Sequence, residues 1–385
     1  MKILMIAPEP FFEPRGTPFS EYFRIRSLSR LGHEIDLVTY PIGEDKEVPG
    51  LTIYRSLKLP FIKSVKTGPS AAKIFLDLFL FFKAAGRLLR KKYDLIHTHE
   101  EANIMGAFFS KISGIPHLYD MHSSLVQQMT NFQFTKSRLI TSIFRTTERI
   151  SLKNARSVIV ICKSLYDYAS EITESEKLTI IENFIDDSPD ELSGEKLDKI
   201  KTEIEGKERI IISYAGTLET YQGIPMLIDA MEFLDKKFKL ILIGGKEEQV
   251  KKFRLDIEKR GLSDKVTLLG RKEPEEIPYY LKASDILVSP RILGTNIPLK
   301  IYSFLKSGTP LVVTNLYTHT QSITDDIAII KEPVAEDFAE GIKEAAGKKG
   351  KETTKKALEF CNTNYTLSRY DELVKEALSK AVKNK

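Results

Sequence analysis

Short runs of aliphatic and β-branched residues alternate with longer amphipathic segments along the first half of the chain. Runs of this length that are apolar on both faces are typical of strands in a parallel sheet, and the intervening segments have the spacing of crossover helices. The predicted strands cover residues 3–7, 34–40, 94–98, 117–121 and 157–161. The pattern therefore predicts an α/β domain.

A polar stretch at residues 186–207 interrupts this alternation, which then restarts with predicted strands at 209–215, 238–243, 265–269, 285–289 and 310–314. We expect two Rossmann-like domains, 1–186 and 187–364, with a C-terminal helix at about 365–385 that could pack back on the first. Open parallel sheets bind ligands at the carboxyl ends of their strands. Two such sheets in tandem predict a site in a cleft between facing domains.

Composition adds three constraints. The only cysteines, Cys162 and Cys361, are too few for a disulfide framework and favour a reducing compartment. The first residues lack the apolar core of a signal peptide, and the longest apolar stretch, 74–82, contains Asp77 and is far shorter than the roughly 18 residues of a spanning helix. We therefore expect a cytoplasmic protein that does not cross the membrane.

Gly16 and Thr17 follow the first predicted strand and precede a helix predicted to begin near Ser20. A glycine lets the backbone approach a ligand closely, and the free N–H groups of a helix N-terminus attract anions. An ordinary turn rich in proline is the alternative interpretation. No Gly-x-Gly-x-x-Gly sequence occurs, which disfavours a dinucleotide-dependent dehydrogenase.

Histidine and carboxylate side chains end two neighbouring strands, with His97, His99 and Glu100 at one and Asp120 and His122 at the next. Their shared position indicates a functional edge, although a hydrogen-bonded core role would suit any one histidine. No His-Glu-x-x-His pattern or cysteine completes a metal-ligand set, so no metal is expected.

In the second half, Gly216, Thr217 and Gln222 lie between a strand and a helix predicted at 224–233, and Arg291 and Lys300 flank a later connection of the same kind. Pro298 suits the first turn of a helix predicted at 298–306, where its missing N–H costs nothing. The two cations beside that turn could neutralise phosphate. These residues predict a diphosphate site; a pair of solvated surface charges is the alternative.

Taken in order, several segments resemble the family 4 (group 1) glycosyltransferases, which have a B-type fold of two Rossmann-like domains. The similar stretches lie at 31–35, 94–97, 114–116, 121–122, 155–159, 182–186, 216–218, 222–223, 283–286 and 307–313. The resemblance implies transfer of a hexosyl group from a UDP- or GDP-linked sugar with retention at the anomeric carbon, without a metal or other cofactor.

The resemblance also assigns roles. It implies an acceptor-side first domain and a nucleotide-sugar-binding second domain. His122 would contact the donor sugar, and Arg291 and Lys300 would act in catalysis by stabilising the departing diphosphate. The remaining donor-binding residues implied are Gly16, Thr17, Gly216, Thr217, Gln222, Arg271, Asn296, Ile297, Pro298, Leu299 and Ser303.

Four positions depart from the family pattern. Thr217 and Gln222 stand where the family commonly has an arginine and a lysine, and Thr295 and Ser303 stand where it has two glutamates. The Gly-Thr-Asn-Ile-Pro-Leu-Lys sequence at 294–300 resembles a divergent branch in which other residues supply the charge. A catalytically inactive nucleotide-sugar-binding protein and a sugar-nucleotide epimerase are the alternatives, and release of free nucleotide would distinguish them.

Two predicted helices, 71–92 and 136–153, combine apolar stretches with basic residues. Basic amphipathic helices can lie in an anionic membrane interface. We therefore expect peripheral attachment to the inner face of the membrane and a lipid-linked or cell-envelope glycan acceptor; packing of both helices on the sheet is the alternative. The basic clusters lack interleaved stacking aromatics, so no nucleic acid partner is expected.

Overall fold

The computed structural model describes residues 1–13, 16–59, 62, 65, 71–124, 138–183, 192–205 and 208–382. The chain divides into two compact units. The first contains Met1–Asn183 and Leu367–Lys385, and the second contains Phe184–Thr366. The domain boundary predicted at 186/187 lies outside the described residues.

The first unit is built on a seven-stranded sheet in which all paired strands are parallel, in the order β3-β2-β1-β4-β5-β6-β7. The strands are β1 Lys2–Ala7, β2 Glu34–Thr39, β3 Leu51–Arg55, β4 Leu95–His99, β5 His117–Met121, β6 Ser157–Val160 and β7 Leu178–Ile180. β2 pairs with one side of β1 and β4 with its other side, so the strand order reverses at β1. Ligands bind at such a reversal of strand order.

Crossover helices connect these strands. They are α1 Gly16–Arg30, α2 Ala71–Arg90, α3 Asn103–Ser113, α4 Arg138–Asn154 and α5 Lys163–Ser170. A sixth helix of this unit, α14 Leu367–Val382, comes from the end of the chain and connects no strands. Lys380 of α14 donates from Nζ to the carbonyl of Leu178 at 2.8 Å, and Asp371 accepts from Arg30 Nη2 at 2.7 Å. These contacts hold α14 against the first unit.

The second unit repeats the design with a six-stranded parallel sheet in the order β10-β9-β8-β11-β12-β13. Its strands are β8 Ile210–Ala215, β9 Phe238–Ile243, β10 Val266–Gly270, β11 Ile286–Ser289, β12 Leu311–Thr314 and β13 Ile329–Lys331. Its helices are α6 Gly194–Glu203, α7 Ile224–Ala230, α8 Glu247–Lys259, α9 Ile277–Ala283, α10 Lys300–Lys306, α11 Tyr317–Thr320, α12 Ala335–Ala345 and α13 Lys348–Asn364.

Hydrophobic burial explains why these strands form. Every residue of β9 is buried, as are five of the six residues of β1. Such strands are covered on both faces, so their unbroken apolar sequences fit a sheet between two helical layers. Among the described residues, no helix is both long enough and apolar enough to cross a bilayer.

The prediction of two parallel α/β domains is confirmed, and the ten predicted strands agree with the structure to within one residue at each end. Three strands were not predicted, namely β3, β7 and β13. β7 and β13 contain only three residues each, and β3 has no buried residue, so none of the three forms the continuous apolar run that marks the other strands.

Several predicted helix bounds were wrong. The first helix begins at Gly16 rather than near Ser20, and the helix predicted at 224–233 ends at Ala230, followed by a 3₁₀ turn. The helices predicted at 71–92 and 136–153 are Ala71–Arg90 and Arg138–Asn154, and residues 136–137 lie outside the described part of the chain.

The prediction that Pro298 lies in the first turn of its helix was also wrong. The helix α10 begins at Lys300. Pro298 precedes it in a tighter turn, in which its carbonyl accepts from the Ile301 N–H at 3.0 Å. A tighter first turn of this kind is common at helix ends, where the i−4 partner is missing.

Candidate functional site

The strand order of the second unit reverses between β8 and β11, which marks the expected ligand crevice of its sheet. Gly216 directly follows β8, and Arg291 lies two residues beyond β11. The Gly216 N–H donates to the carbonyl of Ile243 at 3.0 Å, and the Gly244 N–H donates to that of Gly270 at 2.7 Å. These bonds bring the carboxyl ends of β8, β9 and β10 to one edge.

Lys300 packs against the turn that follows β8. Its Nζ lies 3.7 Å from the ring centroid of Tyr214 and 3.4 Å from Gln222 Oε1. The Tyr214 hydroxyl donates to the Thr217 carbonyl at 2.5 Å and so fixes the turn. At Gly216 (φ +152°), a Cβ would lie 3.4 Å from Lys300 Nζ. The ammonium group therefore lies directly beside exposed main chain.

Arg291 anchors the loop that leads to Lys300. Its Nη1 donates to the Asn296 carbonyl at 2.9 Å and to Thr318 Oγ1 at 3.1 Å, and its guanidinium lies 5.0 Å from the ring centroid of Tyr221. Its Nε is buried and makes no hydrogen bond to any described residue. The Nη1 group of Arg291 therefore holds the loop in place, while its Nε–H is left to donate to a ligand.

No carboxylate in the described part of the chain neutralises these two cations. Burial and the positive charge of Arg291 together hold the pKa of Lys300 well below its usual value. Within the described ranges, neither side chain forms an ion pair with a carboxylate; their recorded partners are amide, carbonyl, hydroxyl and aromatic groups. Like charges held together without a counterion form a site for an anion.

Sequence reasoning missed His319 and Thr318 at this edge. His319 joins β11 to β12, with Nε2 at 3.0 Å from Ser289 Oγ and Nδ1 at 3.0 Å from the Thr314 carbonyl. Burial lowers its pKa to about 3, so the ring is neutral at pH 7. A single histidine in a short helix carries no spacing signal that could have revealed it.

The remaining predicted donor-loop residues lie between and just after Arg291 and Lys300 and differ in burial. Ile297 is buried, whereas Asn296, Pro298, Leu299 and Ser303 are half-buried. Ser303 donates from its hydroxyl to the Lys300 carbonyl at 2.9 Å, a contact within α10. The proposed ligand contacts of these residues stay predictions.

Arg271 directly follows β10 and is exposed, as are Gly216, Thr217 and Thr295. The Thr295 carbonyl accepts from Gln321 Nε2 at 2.6 Å. Arg271 therefore lies at the strand-end edge where a base could be contacted, and its predicted role stays a prediction.

In the first unit, Glu100 connects the residues predicted after β1 with those after β5. Thr17 Oγ1 donates to Glu100 Oε1 at 3.4 Å, and Ser123 Oγ donates to Oε2 at 2.9 Å. Glu100 is buried with φ +45°, an uncommon left-handed conformation outside glycine. Burial and the nearby Glu101 and Glu9 raise its pKa well above the usual value.

His122 belongs to a buried stack of three imidazoles. Ring centroids are 4.7 Å apart for His97 and His99 and 5.4 Å apart for His99 and His122. His122 Nε2 lies 3.2 Å from His99 Nδ1 and 3.3 Å from Asp120 Oδ1. Burial lowers the pKa of His122 to about 4, although Asp120 opposes this shift. The imidazole is therefore neutral at pH 7.

Arg24, which sequence reasoning missed, adds to burial in keeping these histidines neutral: its positive charge lowers the pKa of His99 and of His122, whereas Asp120 raises both. Its Nε donates to Asp120 Oδ2 at 2.7 Å between two fully buried side chains, and Tyr370 of α14 places its ring centroid 5.1 Å from the guanidinium. The position of Arg24 among buried residues of α1 is a helical-face signal that the sequence did contain.

One cluster could hold a metal ion by its chemistry. The potential ligand atoms of His97, His99 and Asp120 all lie within 4.8 Å of one another. Arg24, bonded to the same carboxylate, places a positive charge beside any cation bound there. The expectation of a metal-independent protein stays a prediction.

Comparison with known families now places the chain. Residues 24–188 match the model described as Glycosyltransferase Family 4, and residues 195–358 match that described as Glycosyl transferases group 1. The chain belongs to the family 4/group 1 glycosyltransferases.

Individual relatives are distant. An uncharacterised glycosyltransferase of Methanocaldococcus jannaschii is 24% identical over 67% of this chain, and the match spans 64% of that relative, less than two thirds of its length. The phosphatidyl-myo-inositol mannosyltransferase of Mycobacterium leprae is 21% identical over 84% of this chain and 81% of its own.

Solved structures share the fold at low sequence identity. HepE of Anabaena in complex with UDP superposes with a TM-score of 0.77 at 18% identity, covering 98% of this chain and 100% of its own. Sucrose-phosphate synthase of Thermosynechococcus elongatus gives 0.78 at 18% identity, covering 98% of both chains. The two-domain B-type fold is thereby established.

Proposed function

We propose that this chain transfers a hexosyl group from a UDP- or GDP-linked sugar to an acceptor hydroxyl, with retention at the anomeric carbon. One observation carries the proposal: Arg291 and Lys300 lie at the strand-order reversal, and no carboxylate among the described residues pairs with either of them. A nucleoside diphosphate supplies the missing negative charge. HepE, a structural neighbour, is described in complex with UDP and with UDP-glucose, which supports this donor class.

The chemistry makes the positive charge necessary. The bond between the anomeric carbon and the diphosphate oxygen breaks, the acceptor oxygen bonds to the same carbon, and the acceptor proton leaves with the diphosphate. Fixed cations and main-chain dipoles stabilise the charge that develops on the leaving group. Lys300, beside the Gly216 turn, and Arg291 take this role, while neutral His122 contacts a hydroxyl of the donor sugar.

For the acceptor we propose a lipid-linked or cell-envelope glycan. The relative from Mycobacterium leprae is named for transfer to phosphatidyl-myo-inositol, and this name supports a lipid-linked acceptor. We propose no metal or organic cofactor.

A ligand screen tests the proposal. The purified protein is heated with UDP-, GDP-, ADP- and dTDP-sugars, and nucleotide release is followed for each sugar that raises the unfolding temperature, with and without lipid extract. A shift confined to one nucleotide class, with nucleotide release, is the expected result. This result would mean that the protein is active although Thr217, Gln222, Thr295 and Ser303 replace the residues common in the family.

The other outcomes identify the rival functions. A thermal shift without nucleotide release or donor isomerisation, in any acceptor mixture, means a nucleotide-sugar-binding protein without turnover. An isomerised donor without free nucleotide means an epimerase. No shift with any donor refutes the diphosphate site at Arg291 and Lys300.

A further inference from the structure

Three helices of the first unit expose large apolar side chains. On α2, Phe75, Leu78, Phe82 and Leu89 are each more than half exposed. Their spacing of three, four and seven residues places them along one stripe of the helix. A single exposed leucine is ordinary in a folded protein, but a stripe this long is not.

The stripe continues onto the neighbouring helices. The Phe81 ring of α2 packs against the rings of Phe108 and Phe109 of α3, with centroids 5.7 and 4.9 Å apart. The side chain of Ser151 in α4 donates to Asn103 Oδ1 in α3 at 2.8 Å. Further exposed apolar residues extend the surface, namely Ile104, Phe108 and Ile112 on α3 and Ile143 and Ile150 on α4.

The exposed charges on these helices have one sign. Among their described side chains, every exposed charged residue is basic: Lys83, Arg90, Lys111, Arg145, Arg149 and Lys153. The two acidic residues are turned inward. Asp77 is half-buried and accepts from the Tyr40 hydroxyl at 2.6 Å, and Glu148 is buried. The helices thus combine apolar stripes with positive charge that the same helices do not balance.

We propose that α2, α3 and α4 form a docking surface for an anionic lipid bilayer. Apolar side chains on such a surface enter the boundary between headgroups and acyl chains, while lysine and arginine bind the phosphates. The core of a protein–protein interface is depleted in charged residues, whereas this surface carries six. A nucleic acid fits less well, because these helices form no recognisable nucleic-acid-binding module and most of their exposed apolar side chains are aliphatic rather than aromatic. The bilayer is therefore the partner that fits both features.

Vesicle binding tests this surface. The full chain is sedimented with vesicles of phosphatidylcholine alone and of phosphatidylcholine mixed with phosphatidylglycerol. We expect binding to the mixed vesicles only, weakening as salt rises, because exposed charges are screened beyond a Debye length of about 8–10 Å at physiological salt. No binding to the mixed vesicles, or equal binding to both compositions, would overturn the proposal.

Double variants test whether vesicle binding depends on this surface or only on the overall charge of the protein. The double variants Leu78→Ser with Phe82→Ser and Arg145→Glu with Arg149→Glu should each lower the vesicle partition coefficient at least about tenfold. The matched control is Lys251→Glu with Lys252→Glu, which reverses two exposed charges on α8 of the second unit and should leave binding unchanged. An equal loss in the control would refute the proposal.

Two further measurements complete the test. All substituted side chains are exposed, so circular dichroism and the unfolding temperature should match those of the wild type. Light scattering without lipid checks the alternative that a second copy covers the surface. A dimer that the Leu78 and Phe82 variant dissociates would replace the bilayer with a protein partner and overturn the proposal.

Discussion

Arg24 and Asp120 form a fully buried ion pair, with Arg24 Nε donating to Asp120 Oδ2 at 2.7 Å. Burial alone would raise the pKa of Asp120, but Arg24 together with the neighbouring histidines holds it well below its usual value. Because Arg24 offsets the carboxylate charge, burial can keep the His122 imidazole neutral. After burial, the two members of this pair are therefore the main influences on the pKa of His122, the residue proposed to contact the donor sugar, and they act in opposite directions.

Removing one member of this pair should be costly. Arg24→Met leaves a buried carboxylate without its counterion, which we expect to lower the free energy of unfolding by about 3–5 kcal/mol. Urea unfolding followed by circular dichroism measures the change. The double variant Arg24→Met with Asp120→Asn removes both charges and should recover part of the loss. If the double variant is as unstable as the sum of the two single variants, the pair is not coupled.

The same variant should change the titration of His122. Without Arg24, the Asp120 carboxylate is no longer offset, so the pKa of His122 should rise above its value of about 4. An NMR titration of the imidazole signals checks this. An unchanged His122 pKa in a folded Arg24→Met protein would contradict the role assigned to Arg24.

The fold could be predicted further than the site because strands and sites leave different signals. Buried strands such as β9 are continuous apolar runs, and the alternation of such runs with helices specifies a parallel sheet. β13 has only three residues, and its pairing with β12 depends on contacts that no local pattern encodes. β13 is a strand because its main chain pairs with β12, not because its own sequence favours one.

The candidate site was predicted where it follows strand ends and missed where it depends on packing. Arg291 and Lys300 were found because one follows β11 and the other begins the next helix. Tyr214 was not, although its ring lies under the Lys300 ammonium, because a tyrosine within a buried strand resembles any other core residue. Contacts that orient a functional group are set by tertiary structure.

Lys300 should contribute more to donor binding than other cations near the strand ends. We expect Lys300→Met to weaken nucleoside-diphosphate binding at least about tenfold, because a charge-assisted hydrogen bond contributes about 1.5–3 kcal/mol. Calorimetric titration with the nucleotide identified in the ligand screen measures this. Lys246→Met is the control, since Lys246 is an exposed lysine between β9 and α8. Equal losses in both variants would argue against a specific site.

Donor binding should also take up a proton. Burial and Arg291 lower the pKa of Lys300 in the free protein, and a bound diphosphate would raise it again. Affinity should therefore be highest below the pKa of the free state and fall as pH rises between the free and bound values. Calorimetry of a sugar nucleotide in buffers of different ionisation enthalpy measures the uptake. The Lys300→Met variant should lose this uptake; if it retains the wild-type value, another group is responsible.

Two glycines make the close approach beside Lys300 possible. Gly244 has φ +113°, and a Cβ there would lie 2.1 Å from the Gly216 carbonyl oxygen. Gly244→Ala must therefore displace the Gly216 turn, and we expect donor affinity to fall at least about tenfold, an amount equal to roughly 1.4 kcal/mol. Gly261→Ala is the control, because Gly261 has φ +67° but no atom within 4 Å of an added Cβ.

The Gly261→Ala control introduces backbone strain without a steric clash, whereas Gly244→Ala introduces both. A left-handed alanine costs roughly 1–2 kcal/mol, so both variants should be somewhat less stable, but only Gly244→Ala should lose donor binding. Calorimetry with the identified sugar nucleotide and thermal unfolding, measured on the same samples, separate the two effects. A folded Gly244→Ala protein with wild-type affinity would mean that the Gly216 turn does not form the phosphate site, because the substitution cannot be accommodated without moving that turn.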